Sequence, residues 1–178
     1  RLRSSLVETG SLFQSSSDTE IIVHLVARSH QDTVTDRLID ALKQIEGAYS
    51  LVCVAKDMLI GVRDPLGVRP LVLGKQNDAY VLASESCALD VIGAEIVRDL
   101  DPGEMVVITK AGIESIKPFP AKQSRFCVFE YIYFARPDSI LEGRGVYHAR
   151  KAIGAELAKE SLADANLVVP VPDSGVPA

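Results

Sequence analysis

Residues 48–86 read AYSLVCVAKDMLIGVRDPLGVRPLVLGKQNDAYVLASES. Four short runs, AYSLVCVAK, MLIGVRD, RPLVLGK and AYVLASES, are parted by Lys-Asp, Pro-Leu-Gly and Gln-Asn-Asp. β-Branched and aromatic residues suit a pleated, half-buried surface, whereas the separating residues suit tight turns. Runs at this spacing predict an antiparallel sheet joined by hairpins. Several of them are apolar on both faces, so the sheets are expected to be covered on each side.

Outward from this stretch the period changes. Upstream, RLRSSLVETG reads as the tail of a helix closed by Gly10. Ser17-Asp18-Thr19-Glu20 fits a capping box, in which Ser17 accepts a first-turn amide and Glu20 reaches back to the Ser17 N–H. The next helix sets Ile22, Leu25 and Val26 on one face. A second helix is predicted from about Asp32 to Glu46, with Val34, Leu38, Ile39, Leu42 and Ile45 inward and Gly47 as its stop.

Downstream, a short helix at Ala88–Ile92 precedes strands in EIVRD, EMVVITK and GIESIKPF. FCVFEYIYF (126–134) reads as an aromatic strand with Tyr131 and Tyr133 on one face, and 136–145 as a polar connector. A helix over 146–162 with Val146, Ala149, Ile153 and Leu157 inward leads to LVVPVPDSG, read as a buried strand and a loop. The fold class is therefore α+β, helices and stacked sheets over 1–135, followed by the beginning of an α/β unit over 146–178. There is no initiating Met, and the last strand has only a short tail after it; both ends read as cuts in a longer chain.

The chain has 178 residues, 47% hydrophobic and 24% charged, as expected of a folded domain rather than a disordered tract. A net charge of −5 disfavours nucleic acid as a partner. No run is long enough for a membrane-spanning helix. Three scattered cysteines, Cys53, Cys87 and Cys127, do not form a disulfide framework and suit a reducing cytoplasm.

Candidate residues are few. Asp18, in a first helical turn, either stabilises the helix dipole or binds an ammonium group. Arg63 and Asp64 in VRDPLGVRP read as structural turn residues. His24, His30 and His148 lack metal-ligand spacing. Cys127 alone reads as a small hydrophobe, and Tyr131 and Tyr133 as packing residues. Asp173-Ser174-Gly175 is either a helix cap or a loop that holds an anion and, through the Ser174 hydroxyl, Mg²⁺.

Together SSSDTEIIVHL, EGAYSLV, RDPLGVRPLVLG, YVLASESCALD, PGEMVVI, FEYIYFARPDS and VPVPDSG resemble, in order, the glutamine phosphoribosylpyrophosphate amidotransferase family. The resemblance implies a four-layer αββα N-terminal-nucleophile glutaminase domain over 1–135 and the first helix and strand of a phosphoribosyltransferase domain over 146–178. It implies glutamine and phosphoribosyl pyrophosphate as substrates, Mg²⁺ as cofactor, purine nucleotides as feedback inhibitors and a homo-oligomer. The catalytic cysteine would precede Arg1, and the acidic ribose-binding pair would come after Ala178. By resemblance Asp18 receives the glutamine α-ammonium, and Asp173, Ser174 and Gly175 form the pyrophosphate loop with Ser174 on Mg²⁺. Tyr133 falls at the interdomain ammonia path, and Cys127 matches a ligand of the branch that carries a [4Fe–4S] cluster. Two other readings stand beside this one: an amidotransferase of the same class with a different acceptor, and a non-catalytic paralogue that kept the fold.

Overall fold

Two of the three separating segments close hairpins, whereas the runs either side of Pro-Leu-Gly enter different sheets. In the computed structural model, which describes residues 1–178, the strands are β1 (Ser50–Ala55), β2 (Met58–Arg63), β3 (Val72–Gln76), β4 (Ala79–Ala83), β5 (Glu95–Asp99), β6 (Met105–Thr109) and β7 (Gly112–Ile116). They build two antiparallel sheets, ordered β1-β2-β6-β7 and β4-β3-β5. Ala55 pairs with Met58 and Gln76 with Ala79, so Lys56-Asp57 and Asn77-Asp78 are two-residue turns. Asn77 adopts a left-handed φ of 53°, a conformation asparagine tolerates.

The sheets face each other through Leu71, Leu73, Leu100 and Val106, with Tyr80, Leu82, Ile108 and Ile113 packed around them. A Cβ on Gly61 of β2 would lie 2.7 Å from a Leu82 methyl, so this glycine permits the close approach of the sheets. A short helix over Ser86–Ile92 covers the far face of the smaller sheet through Leu89, against Val72 and Ala94. The expectation of sheets covered on both faces holds for β3.

The chain divides into two compact units, Arg1–Gly47 and Ala48–Ala178. The first holds α1 (Leu2–Glu8), α2 (Glu20–Arg28) and α3 (Val34–Leu42). Its core is Leu6, Leu25 and Ala41, joined by Leu2, Phe13, Ile21, Val26 and Ile45. Ile21 rather than Ile22 joins Leu25 here, because residues four apart lie on the same helical face. The capping box does not form: Thr19 is the N-cap and makes no side-chain cap bond. Helix α3 is shorter than predicted; Thr33 caps it by accepting the Asp36 N–H, and residues beyond Leu42 continue as turns.

The second unit also holds the Ser86–Ile92 helix, α4, the small hairpin β8 (Ile140–Leu141) and β9 (Arg144–Gly145), and α5 (Val146–Glu160). Arg63, at the end of β2, is 1% exposed and surrounds its guanidinium with acceptors. It donates to the carbonyls of Arg69 (2.9 Å), Leu100 (2.6 Å) and Gly67 (3.0 Å) and to the Glu142 carboxylate (2.7 Å). Its neighbour Asp64 accepts the Leu66 N–H at 2.8 Å and the Val68 N–H at 3.2 Å. Gly67 closes this turn with φ +59°, and a Cβ there would strike the Pro102 ring. The structural reading of Arg63 and Asp64 is therefore correct.

Several sequence expectations fail. FCVFEYIYF is not a strand. Arg125 and Cys127 each donate one N–H, to the carbonyls of Leu66 and Val68, and the chain then coils so that the Ala135 N–H reaches the Glu130 carbonyl five residues back. Residues Glu130–Phe134 thus form one wide, π-type turn, and Tyr131 and Tyr133 do not share a strand face. A short run of aromatic and other apolar residues broken only by Glu130 carries no clear period, so its composition could not separate the two conformations.

Helix α5 buries Val146, Arg150 and Gly154, while Ile153 and Leu157 stay exposed. Arg150 points inward because its guanidinium donates to the Tyr131 and Ala135 carbonyls, both at 2.7 Å. Residues 167–171 are exposed and make no ladder bonds; the expected strand is absent because a strand needs a ladder partner for its N–H and C=O groups.

Glu104, 1% exposed, ties β5, β6 and β7 together. Burial raises its pKa, but bonds from Arg98, the Ser115 hydroxyl and the Asp101 N–H outweigh this and bring it to about 2. A carboxyl held below its unfolded value stabilises the fold above that value and loses the effect as pH falls through the folded value. Glu104→Gln is expected to cost roughly 3 kcal/mol at neutral pH and to flatten the loss of stability between about pH 5 and 2. Urea unfolding of both proteins at stepped pH measures this.

Candidate functional site

In the first unit, the Glu20 carboxylate shapes the loop that carries Asp18. It accepts the N–H groups of Gln14 (2.7 Å) and Ser15 (2.9 Å) and the Ser15 hydroxyl (2.6 Å). The Gln14 N–H, then the Ser15 hydroxyl, pull its pKa down to about 2. Residues 14–20 are thereby closed into a loop, braced by Arg3, whose guanidinium lies 4.2 Å from the Phe13 ring centre and bonds the Ser15 carbonyl. Asp18 is exposed on this loop; its carboxylate meets only the Thr19 hydroxyl, at 3.4 Å.

In the second unit a cavity of about 320 Å³ opens beside the π-type turn. Tyr49, Ser50, Arg69, Ser84, Glu85 and Glu130 supply its polar lining, and Phe134 forms an apolar wall. Four local structures deliver these groups: the start of β1, the end of the turn that Arg63 organises, the segment leading into α4, and the π-type turn itself. Tyr49 is pushed up to about 12 by burial and by the nearby Asp64 charge, so its hydroxyl keeps its proton at neutral pH.

Glu85 latches this region. One of its oxygens accepts the Arg136 N–H (2.8 Å) and the Ser139 hydroxyl (2.7 Å), while the Ser86 hydroxyl oxygen accepts the Ile140 N–H at 2.7 Å. Glu130 is 2% exposed, and its Oε1 lies 2.8 Å from Arg69 Nε. The pair is not aligned as a hydrogen bond, and Oε1 has no hydrogen-bond partner. Burial raises the Glu130 pKa, Arg69 opposes the rise, and the Glu85 charge adds to it.

Tyr133 lies on the same π-type turn, 65% exposed, its ring edge-on to Phe134 at 6.0 Å between centroids. Tyr131 instead donates its hydroxyl to the Leu141 carbonyl at 2.7 Å and packs on Phe126. Cys127 is half-buried, and no group of three or more His, Cys, Asp or Glu side chains could hold a metal ion. Asp173, Ser174 and Gly175 form a turn in which the Gly175 N–H bonds the Val171 carbonyl and the Val176 N–H the Asp173 carbonyl. Those bonds stay within the tail; none reaches Tyr133 or Cys127.

Glu85, Arg69 and Glu130 were not singled out from sequence. For Glu130 a signal existed: a lone carboxylate within an aromatic run must be paired or lie at a site, because burying a charge alone is costly. Arg69 sits in a stretch that reads as a turn and Glu85 at the end of a run that reads as a strand, and only the fold brings them together.

Residues 1–91 match the family model for the glutamine amidotransferase domain, and the chain belongs to that family. It is similar throughout to enzymes named amidophosphoribosyltransferase: 48% identical to that of Rhizobium etli over 99% of this chain, and 48% identical to chloroplastic amidophosphoribosyltransferase 2 of Arabidopsis thaliana over 99%. The solved glutamine phosphoribosylpyrophosphate amidotransferase of Bacillus subtilis, complexed with ADP and GMP, superposes with a TM-score of 0.95 at 43% identity. That match covers 99% of this chain and 39% of the other. The chain spans 37% of the length of the Rhizobium relative and 32% of the Arabidopsis one. The α+β fold and the family resemblance seen in the motifs both hold.

The Glu20 loop gives a direct prediction. Glu20→Ala is expected to lower hydrogen-exchange protection of the Gln14 and Ser15 amides about tenfold while leaving the Leu25 amide unchanged. Exchange read by NMR or mass spectrometry checks it.

Proposed function

We propose that the intact protein is an amidophosphoribosyltransferase. It hydrolyses the side-chain amide of glutamine to glutamate and ammonia, and the ammonia displaces pyrophosphate from phosphoribosyl pyrophosphate to give 5-phosphoribosylamine. This is the first committed step of de novo purine biosynthesis. The observation that carries the reading is 48% identity over 99% of the chain to an enzyme of that name.

In this reading the glutaminase is of the N-terminal-nucleophile type: a cysteine thiolate attacks the amide carbon, and preorganised donors hold the oxyanion. Asp18 suits the α-ammonium of glutamine, because its carboxylate is exposed at a helix start on a loop fixed by Glu20. Asp173, Ser174 and Gly175 take the pyrophosphate, and Tyr133 lies on the route of ammonia between the two reactions. Protection from solvent matters there, since free ammonia is lost to protonation.

Mg²⁺ suits the tail turn, whose Asp173 carboxylate and Ser174 hydroxyl are the oxygen donors a hard cation prefers. When bound, the ion would neutralise charge on the leaving pyrophosphate. A [4Fe–4S] cluster takes several thiolates, and Cys127 has no companion ligand within these residues; it fits one corner only, and no step runs through such a cluster. Purine nucleotides as feedback inhibitors, a homo-oligomer and a cytoplasmic location complete the proposal. The nucleotide-bound Bacillus relative supports the first. No helix is long and apolar enough to cross a membrane.

Asp18→Asn in the full-length enzyme is expected to raise KM for glutamine by about tenfold or more, through loss of a charge-assisted contact. Synthesis from added ammonium salts should persist. Steady-state kinetics with each nitrogen donor decides this, and an equal fall with both donors would overturn the assignment of Asp18.

A further inference from the structure

Little slack is left between the π-type turn and α5. The Ser139 N–H closes a turn on the Arg136 carbonyl at 3.1 Å. Amides at a helix start lack partners within the helix, and this turn supplies them. Its Ser139 carbonyl accepts the Val146 N–H at 2.9 Å, and its Pro137 carbonyl accepts the Tyr147 N–H at 3.0 Å. Helix α5 returns the contact through Arg150, which donates to the Tyr131 and Ala135 carbonyls. The π-type turn, the 136–139 turn and the start of α5 are therefore bonded in a ring.

Glu85, between β4 and α4, ties this ring to the smaller sheet. A single oxygen of its carboxylate takes both ends of the 136–139 turn, the Arg136 N–H and the Ser139 hydroxyl. The neighbouring Ser86 hydroxyl takes the Ile140 N–H. Ser86 and Ser139 are buried, so water does not readily replace these bonds. A carboxylate acceptor also makes bonds roughly twice as strong as a neutral one. We propose that Glu85 is a positioning residue for ammonia transfer: it holds the 136–139 turn, and through it α5, in place against the π-type turn that carries Tyr133. This rests on the proposed function, in which the π-type turn lies on the route of ammonia and 136–145 leads from the glutaminase half to the transferase half. Loosening the latch leaves each half its own chemistry but opens the route between them to solvent, where ammonia is lost to protonation.

The test uses the full-length enzyme with glutamine, phosphoribosyl pyrophosphate and Mg²⁺, measuring glutamate and phosphoribosylamine in the same reaction. Glu85→Ala is expected to raise the ratio of glutamate to phosphoribosylamine about threefold or more, while synthesis from ammonium salts stays within about twofold of wild type. Glu85→Gln, whose amide oxygen can still accept both donors, should bring the ratio back toward that of the wild type. Melting temperatures are recorded for each variant. Should the alanine variant fail to fold, Ser139→Ala, which removes one of the two bonds to the carboxylate, should raise the ratio in the same direction. An unchanged ratio in a folded variant, or an equal fall in glutamate release and in synthesis from both nitrogen sources, would overturn the proposal and leave the proposed function standing. A wild-type enzyme that forms no phosphoribosylamine from glutamine would overturn the proposed function, and this role of Glu85 with it.

Discussion

A positive charge buried at the end of a strand needs acceptors around it, and Arg63 finds them in backbone from three separate positions and in one carboxylate. Its guanidinium joins the carbonyls of Gly67, Arg69 and Leu100 to the Glu142 carboxylate. Removing one partner of such a cluster leaves the others desolvated and unsatisfied, which costs more than making the contact gains. The loop from Asp64 to Pro70, the crossing after β5 and the hairpin before α5 are thus fixed together.

The aromatic segment and the cavity beside it depend on that joint. The loop it fixes offers the Leu66 and Val68 carbonyls to Arg125 and Cys127, which sets where the aromatic segment begins to coil. The same loop ends near Arg69, so the partner of Glu130 is placed by the residue that anchors the turn. Glu85 and Ser86 hold 136–140 from the other side, and Arg150 caps the π-type turn through its carbonyls. The cavity between these elements sets polar groups that the fold has to place beside the apolar Ala48, Pro70 and Phe134.

The hairpins were legible because alternation and turn chemistry are local: Lys56-Asp57 and Asn77-Asp78 turn where the sequence predicts. The Asp64 turn was legible for the same reason. The aromatic segment was not, since Phe126 to Phe134 lacks a period and its conformation is chosen by Leu66 and Val68, far upstream in the chain. The inward face of α5 was misread because Arg150 is excluded from a core by its charge until its carbonyl partners are known. The tail after Leu167 has strand composition, but pairing rather than composition makes a strand. Of the candidate residues, Asp18 could be placed at a helix start from sequence; its loop could not, because Glu20 reaches to Gln14 and Ser15 rather than to Ser17.

The joint itself can be tested by Arg63→Met, which keeps much of the side chain's apolar stem and removes its donors. Urea unfolding with hydrogen exchange mapped by mass spectrometry should show a loss of about 3–5 kcal/mol, with protection falling together around Gly67–Arg69, Leu100 and Glu142. A variant within about 1 kcal/mol of the parent, with those three segments still protected, would contradict the account.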